Sequence, residues 1–344
     1  MTHINFTDKL INWYNLNKRD LPWRKTSDPY VVWVSEIILQ QTKIEQGLPY
    51  FKKFINKFPN VNALAQAEVD DLMRIWQGLG YYSRALNMHK TAKIVLDNYF
   101  GIFPRSYEIL IGLPGIGDYT ASAISSICNA EYRIVIDGNV MRFFSRLFKL
   151  DYQVNSLVLK RNIKKIGNEL IMNSKPGDFN QALMDFGSLI CAPKKYQCSN
   201  CIFLNDCLAF KNNLIESLPK KKKSIKIRTR YFNYLVGISK NKKIKISKRL
   251  KKDIWQNLYE FPIVETSEII NYNQTDKFFA KIGSFSKEKL TNEITVKHKL
   301  SHQNLIIKFW IFKSEFEDKS FVKLSSLEHY AFPKPIFNVI SQIQ

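Results

Sequence analysis

The chain has 344 residues, long for one domain and comfortable for two. Its 45% of hydrophobic residues can build a substantial core, yet no stretch reaches the roughly 18 apolar residues that a membrane-spanning helix needs. A balance of 52 basic against 30 acidic side chains gives +22, which points to a polyanionic partner, nucleic acid before an anionic membrane surface.

The N-terminal Met-Thr-His-Ile-Asn lacks a signal-peptide pattern, so a soluble, cytoplasmic protein is expected. Over 6–15, Phe6, Leu10, Trp13 and Tyr14 fall on one side of an amphipathic helix. Arg19-Asp20-Leu21-Pro22-Trp23-Arg24 reads as a loop. Asp28-Pro29 is a helix start, with Asp at the N-cap and Pro at the first helical position. That helix is expected from Tyr30 to about Glu45. Val34, Ile37, Ile38 and Leu39 cover most of its surface, so Glu36 lies in an apolar neighbourhood. A helical Glu is ordinarily a solvated group. A desolvated one has a raised pKa and can donate a proton near neutrality.

A long helical region over 49–101 is interrupted at Phe58-Pro59-Asn60 and again at Gly78-Leu79-Gly80-Tyr81-Tyr82. The Tyr pair reads either as core or, in a basic chain, as a surface that stacks on bases. Next, 106–111 predicts a short helix with Ser106 as N-cap and Gly112 at its end. Pro114, Gly115 and Gly117 then impose a tight turn. Ala121, Ile124, Ser125 and Cys128 at helical spacing predict a second helix from about Tyr119, with Cys128 as a buried filler. Two helices flanking a glycine turn form an αα-hairpin, and the N–H groups opening the second helix suit a phosphate. Asp118 at that point complements the helix dipole but would repel a DNA backbone.

Asp137 follows Val135-Ile136 and precedes a helix bearing Arg142 and Arg146, the place of an N-cap. Accepting N–H bonds would keep it ionised, which suits a group facing a developing positive charge. Residues 152–175 read as helices with a basic surface, and 179–187 as one more helix. Four of the five cysteines then follow as Cys191-x6-Cys198-x2-Cys201-x5-Cys207. Thiols packed this closely are better explained as metal ligands than as a disulfide framework. Zinc and a [4Fe–4S] cluster both take four thiolates, and spacing alone does not choose between them.

The run Pro219–Arg230 carries seven positive charges and reads as a solvated linker with phosphate attraction. After it the period changes to two. Strands are expected over 231–238 and 243–248 around an Asn-Lys turn, and at 277–282, 293–300 and 304–313. The expected organisation is therefore a helical domain over 1–212, a basic linker over 213–229 and an α+β domain over 230–344. Lys240–Lys252 adds a cluster of eight positive residues.

Taken together, the hairpin, Asp137 and the cysteine spacing resemble the MutY-type adenine DNA glycosylases of the endonuclease III-like helix-hairpin-helix superfamily. The likeness spans essentially the whole chain. It is densest at Leu21–Arg24, Ser35–Thr42, Gly78–Tyr82, Leu113–Thr120, Ile136–Val140, Phe179–Gly187 and Cys191–Cys207. The resemblance implies a mainly α, two-lobed helix-hairpin-helix glycosylase domain with an iron–sulfur loop, followed by a Nudix-like α+β domain. It implies one [4Fe–4S] cluster on Cys191, Cys198, Cys201 and Cys207. Glu36 would be the general acid and Asp137 the second carboxylate, with Asn139 and Tyr119 lining the pocket. Trp23, Arg24, Leu39 and Gln181 match positions around an extruded adenine. Gln41 and Tyr81 match residues that enter the base stack, while Thr42, Leu113, Gly115 and Gly117 match DNA-contacting positions. Leu300-Ser301-His302 aligns with a loop that senses 8-oxoguanine, Leu300 standing where that loop usually has Phe. The pyrophosphatase signature of Nudix enzymes is absent, so the second domain is expected to recognise damage without catalysis.

The chemistry implied is hydrolysis of an N-glycosidic bond. Protonating adenine makes it a competent leaving group, and an ionised carboxylate stabilises the oxocarbenium-like sugar. The bond is inaccessible inside a duplex, so the base must be flipped out. Strand-cutting relatives carry a Lys where this chain has Tyr119. Tyr cannot form a Schiff base, so little or no lyase activity is expected. The expected partner is duplex DNA with adenine opposite 8-oxoguanine or guanine, bound by a monomer. The competing readings are an oxidised-pyrimidine glycosylase/lyase and a non-catalytic iron–sulfur DNA-binding protein.

Overall fold

The computed structural model describes residues 3–221, 227–274, 290–315 and 317–343. The expected strand over 277–282 lies outside them. The chain forms two compact units, residues 1–66 with 87–223 and residues 67–86 with 224–344.

The first unit is helical. Its helices are α1 (His3–Asn17), α2 (Pro29–Leu39), α3 (Ile44–Lys57) and α4 (Val61–Ala65). After α5 (Val69–Trp76), which belongs to the second unit, come α6 (Ser83–Asn98), α7 (Tyr107–Leu110) and α8 (Asp118–Cys128). Then follow α9 (Gly138–Leu147), α10 (Leu157–Ile171), α11 (Pro176–Leu189) and α12 (Leu208–Lys211). The expected apolar face of α1 is buried: Phe6, Leu10, Trp13 and Tyr14 pack with α9, α10, α11 and the cysteine loop. Aromatic rings dominate that core. Phe6 stacks on Phe203 at 4.7 Å, and Trp13 meets Phe186 edge-on at 4.9 Å. A second set of contacts joins α2 to α3 and α8. Trp33 lies 4.8 Å from Phe103, and the Tyr30 hydroxyl donates to the Phe58 carbonyl at 2.7 Å.

Two expected boundaries move. The helix opened by Asp28, whose carboxylate accepts from the Tyr30 N–H, stops at Leu39 instead of reaching Glu45. Gln41 adopts a left-handed φ of 57°, which breaks the ladder before α3 begins. The segment after Arg19 is not wholly a loop, because Pro22–Arg24 makes one 3₁₀ turn. Both changes matter for the site, since the break and the turn border the same cleft.

The second unit is built on a six-stranded sheet. Its strands are β1 (Arg228–Ser239), β2 (Lys243–Lys245), β5 (Ile263–Thr266), β6 (Leu290–Lys299), β7 (Gln303–Ser314) and β8 (Phe321–Lys323), while β3 (Ser247–Lys248) and β4 (Tyr259–Glu260) pair separately. The path runs β6-β7-β1-β2-β8, and β5 pairs with the first part of β1. Only β1 and β7 are parallel among these pairs. β1 is buried almost continuously, as a central strand covered on both faces should be. A terminal helix, α13 (Lys334–Ile343), packs its apolar side inward. The short strands β4, β5 and β8 carry no period-two signature, because each spans four residues or fewer.

Candidate active site

The hairpin between α7 and α8 is made as its residues dictate, with two corrections. Ser106 sits at the N-cap position but its hydroxyl caps nothing; the Tyr107 N–H instead donates to Glu131 Oε1 at 3.2 Å. Of the two turn glycines, only Gly115 needs a left-handed conformation, at φ 77°. Gly117 is the N-cap of α8 at φ −98°, and a Cβ there would meet no atom within 4 Å. Asp118 is turned aside by the Tyr107 hydroxyl, which donates to it at 2.7 Å. The turn is pinned from behind by Thr91 Oγ1, which donates to the Pro114 carbonyl at 2.8 Å.

Beside the start of α8 lies a cleft of about 540 Å³. It brings together Glu36 from α2, Tyr119 from α8, Asp137 from the cap of α9 and Gln181 from α11. Trp23, Arg24, Leu39, Gln41 and Gly117 also line it, so nine expected residues converge there from well-separated parts of the chain. Asn139 does not line the cleft. Its amide donates to Asp137 Oδ2 at 2.7 Å and so orients the carboxylate from behind. Thr42 and Leu113 stay outside the lining as well.

The two carboxyl groups differ in surroundings. Glu36 is 9% exposed. Burial pushes its pKa up to about 7, and the charge of Asp137 adds to the rise, while hydrogen bonding with Tyr119 and the charge of Arg24 oppose it. Asp137 is also raised by burial, against the expectation that its cap bonds would hold it low. The Val140 N–H at 2.7 Å, the Asn139 side chain and Arg142 oppose that rise. Asp137 thus has several donors stabilising its anion, and Glu36 has chiefly Tyr119. Tyr119 is itself raised well above 10 by burial and by both carboxylates, so it remains a donor.

Several neighbours carried no recognisable signal. Met184, three residues after Gln181, puts its sulfur 3.5 Å from the Tyr119 hydroxyl. Tyr14, part of the apolar face of α1, donates to Gln181 Oε1 at 2.8 Å. Gln40, Asn155 and Lys160 also line the cleft. The i, i+3, i+4 spacing of Gln181, Met184 and Asp185 on α11 was the one available pointer to this face.

The four cysteines line one small cavity together with Phe143, Arg146, Tyr196 and Phe203, and none is in a disulfide. Among the described residues no three His, Cys, Asp or Glu side chains are arranged to hold a single metal ion. Burial raises the Cys198, Cys201 and Cys207 thiols, Cys201 to about 12, while the charge of Arg146, which lies 3.4 Å from Cys191 Sγ, and the N–H groups of Phe203, Ala209 and Phe210 that bond the sulfurs of Cys201 and Cys207 oppose that rise. Arg142 ties this loop to the cleft. It donates to the Cys191 carbonyl at 2.7 Å and to Asn139 Oδ1 at 2.9 Å. Gly187 permits the approach, because a Cβ there would fall 2.8 Å from the Asn139 carbonyl oxygen.

In the second unit, Leu300-Ser301-His302 forms the turn between β6 and β7, closed by Leu300 N–H donating to the Gln303 carbonyl at 2.9 Å. Ser301 and His302 are exposed. Tyr81, at φ 47°, donates through its hydroxyl to Ser301 Oγ at 3.0 Å. Both border a pocket of about 480 Å³ that Trp255 and His298 also line.

Comparison with known proteins agrees with this geometry. Residues 34–169 match the HhH-GPD superfamily of base excision DNA repair proteins, and 233–342 match a NUDIX domain. The chain is 35% identical to the adenine DNA glycosylase of Buchnera aphidicola subsp. Schizaphis graminum, over 99% of both chains. Its fold resembles a thermostable thymine-DNA glycosylase (27% identity, TM-score 0.56, 61% of this chain and 97% of that one). It also resembles endonuclease III trapped as a covalent intermediate with DNA (21% identity, TM-score 0.54, 62% and 99%), a likeness of fold alone. No helix among the described residues is long and apolar enough to cross a membrane. A hairpin beside a two-carboxylate cleft, a cysteine loop, a Nudix-type second domain and a full-length match together place the chain in the adenine DNA glycosylase family of base excision repair enzymes.

Proposed function

We propose that this protein hydrolyses the N-glycosidic bond of adenine mispaired with 8-oxoguanine or guanine, after flipping the adenine out of the duplex. The observation that carries the reading is the meeting of Glu36 and Asp137 in one cleft under unlike conditions. A cleft of about 540 Å³ falls within the usual size of small-ligand pockets and can take a nucleoside. Glu36, neutral by burial, gives its proton to the departing purine. Asp137, ionised with the help of Val140, Asn139 and Arg142, faces the positive charge that grows on the sugar. Tyr119 hydrogen-bonds Glu36, and Asn139 orients Asp137. Trp23, Arg24, Leu39 and Gln181 surround the base. Thr42, Leu113, Gly115 and Gly117 contact DNA, the last two by leaving backbone N–H groups open to a phosphate.

Gln41 and Tyr81, both in left-handed conformation, enter the stack vacated by the base. Ser301 and His302 read the opposing 8-oxoguanine with their polar groups. Cys191, Cys198, Cys201 and Cys207 would hold a [4Fe–4S] cluster, for which the free thiols, N–H donors and Arg146 are a fitting set. When bound, the cluster braces the loop, and hydrolysis asks no electron of it. We assign catalysis to 1–212, a tethering role to 213–229 and damage recognition to 230–344, in a protein that acts as a monomer.

Single-turnover excision on duplexes with adenine opposite 8-oxoguanine, guanine and cytosine tests this directly. Adenine should be released fastest opposite 8-oxoguanine, with few strand breaks and no borohydride-trapped adduct. Release of oxidised pyrimidines with those adenines left intact would overturn the reading.

A further inference from the structure

The mechanism above leaves one buried charged group without a role. Asp185, on α11, has a fully buried carboxylate that contacts two guanidinium groups. Arg24 Nη1 and Nη2 donate to its two oxygens at 2.6 and 2.8 Å, a bidentate pair. Arg19 donates through Nε at 2.9 Å and through Nη2. Arg24 borders the base cleft on the side of Glu36, whereas Asp185 does not line it.

An unmasked guanidinium in that position would favour the ionised form of Glu36, because an opposite charge nearby stabilises a carboxylate. The other groups around Glu36 do not remove that pull. Tyr119 from α8 bonds the carboxyl and steadies its anion, and Asp137, at the cap of α9, is partly offset by Arg142. Gln181 and Met184, from α11, are neutral. Lys160, which lines the cleft, adds a further positive charge.

We propose that Asp185 is a positioning residue for proton transfer: by binding Arg24 and Arg19 it lets a guanidinium border the base pocket without drawing the proton from Glu36. Its geometry also fixes the Arg24 plane, so the same contact shapes the pocket and sets the alkaline limit of the reaction. The inference rests on Glu36 being the acid.

The test is single-turnover adenine excision from a duplex with adenine opposite 8-oxoguanine, by the cluster-loaded enzyme, from about pH 5 to about pH 9. In Asp185→Asn the alkaline limb should fall about one pH unit or more below that of the wild type. Adding Arg24→Gln should return the limb to its original place. Should Asp185→Asn be too unstable to assay, Arg19→Gln/Asp185→Asn leaves only one guanidinium uncompensated and carries the same expectation. A limb that stays put, or a rate lowered by one factor at every pH, overturns the proposal and leaves Asp185 a structural group. Glu36→Gln separates the two ideas. If that variant keeps its turnover, the acid assignment itself fails; if it is inactive while the limb ignores Asp185, only the present inference fails.

Discussion

Replacing Glu36 by Gln should destroy activity and stabilise the protein, but only above a definite pH. Folding raises the Glu36 pKa from 4.5 to about 7, mainly through burial. A difference of that size corresponds to about 3 kcal/mol between the protonation states. The sign follows from proton counting. Between those two values the native protein holds a proton that the unfolded chain has released. The corresponding stability is fully present below the unfolded value and is lost as pH rises through about 7. Above that, the native state carries a buried anion. Gln keeps the shape and the hydrogen-bonding oxygen but never ionises. Urea unfolding of the two proteins should therefore coincide near the ordinary carboxyl range. The variant should be favoured by up to about 3 kcal/mol at pH 8, while its excision rate falls at least about 100-fold. A gain independent of pH, or a variant less stable than the wild type at pH 8, would refute the claim that burial rather than some other constraint sets this carboxyl.

The hairpin glycines should separate in the same kind of assay. Gly115→Ala imposes a φ of 77° on a side-chain-bearing residue and puts its Cβ 2.7 Å from that of Asn87, so thermal stability and DNA affinity should both drop. Gly117→Ala meets nothing within 4 Å at an ordinary φ, so its melting temperature should hold while affinity in a filter-binding or anisotropy assay falls. In the cysteine loop, Arg146→Leu removes donors to the Ala192 carbonyl at 2.9 Å and the Leu218 carbonyl at 3.1 Å, besides the contact with Cys191. Purified variant protein should retain less iron per chain by colorimetric assay. Equal iron content would show that the loop closes without that arginine.

Much of the fold could be read because local signals and packing agree. The Asp28-Pro29 start, the apolar face of α1 and the small-residue helix α8 all carry their own chemistry, and each lies where its pattern says. The candidate carboxyls were legible in part through the same agreement: Glu36 stands among apolar residues of its helix, and Asp137 stands where an N-cap would. What escaped notice depends on contacts remote in sequence. Asp185 becomes visible only once Arg19 and Arg24 fold against it, 166 and 161 residues away. Tyr14 and Gln181 are 167 residues apart, and nothing local marks Tyr14 as a donor. The rise in the Asp137 pKa was not legible for a related reason. Cap bonds can be foreseen from a motif, but the depth of burial that outweighs them cannot.

Arg142 makes the two halves of the chemistry unequally vulnerable. From the Cys191 carbonyl through Arg142 and Asn139 to Asp137 there are three hydrogen bonds, at 2.7, 2.9 and 2.7 Å. Damage that unclasps the cysteine loop would travel along them to Asp137. Glu36, fixed within the body of α2, lies off that route. Under the mechanism proposed here, a copy with that loop unclasped would keep the proposed acid, Glu36, in place while Asp137 loses its orientation, and would bind a mispair without clearing it.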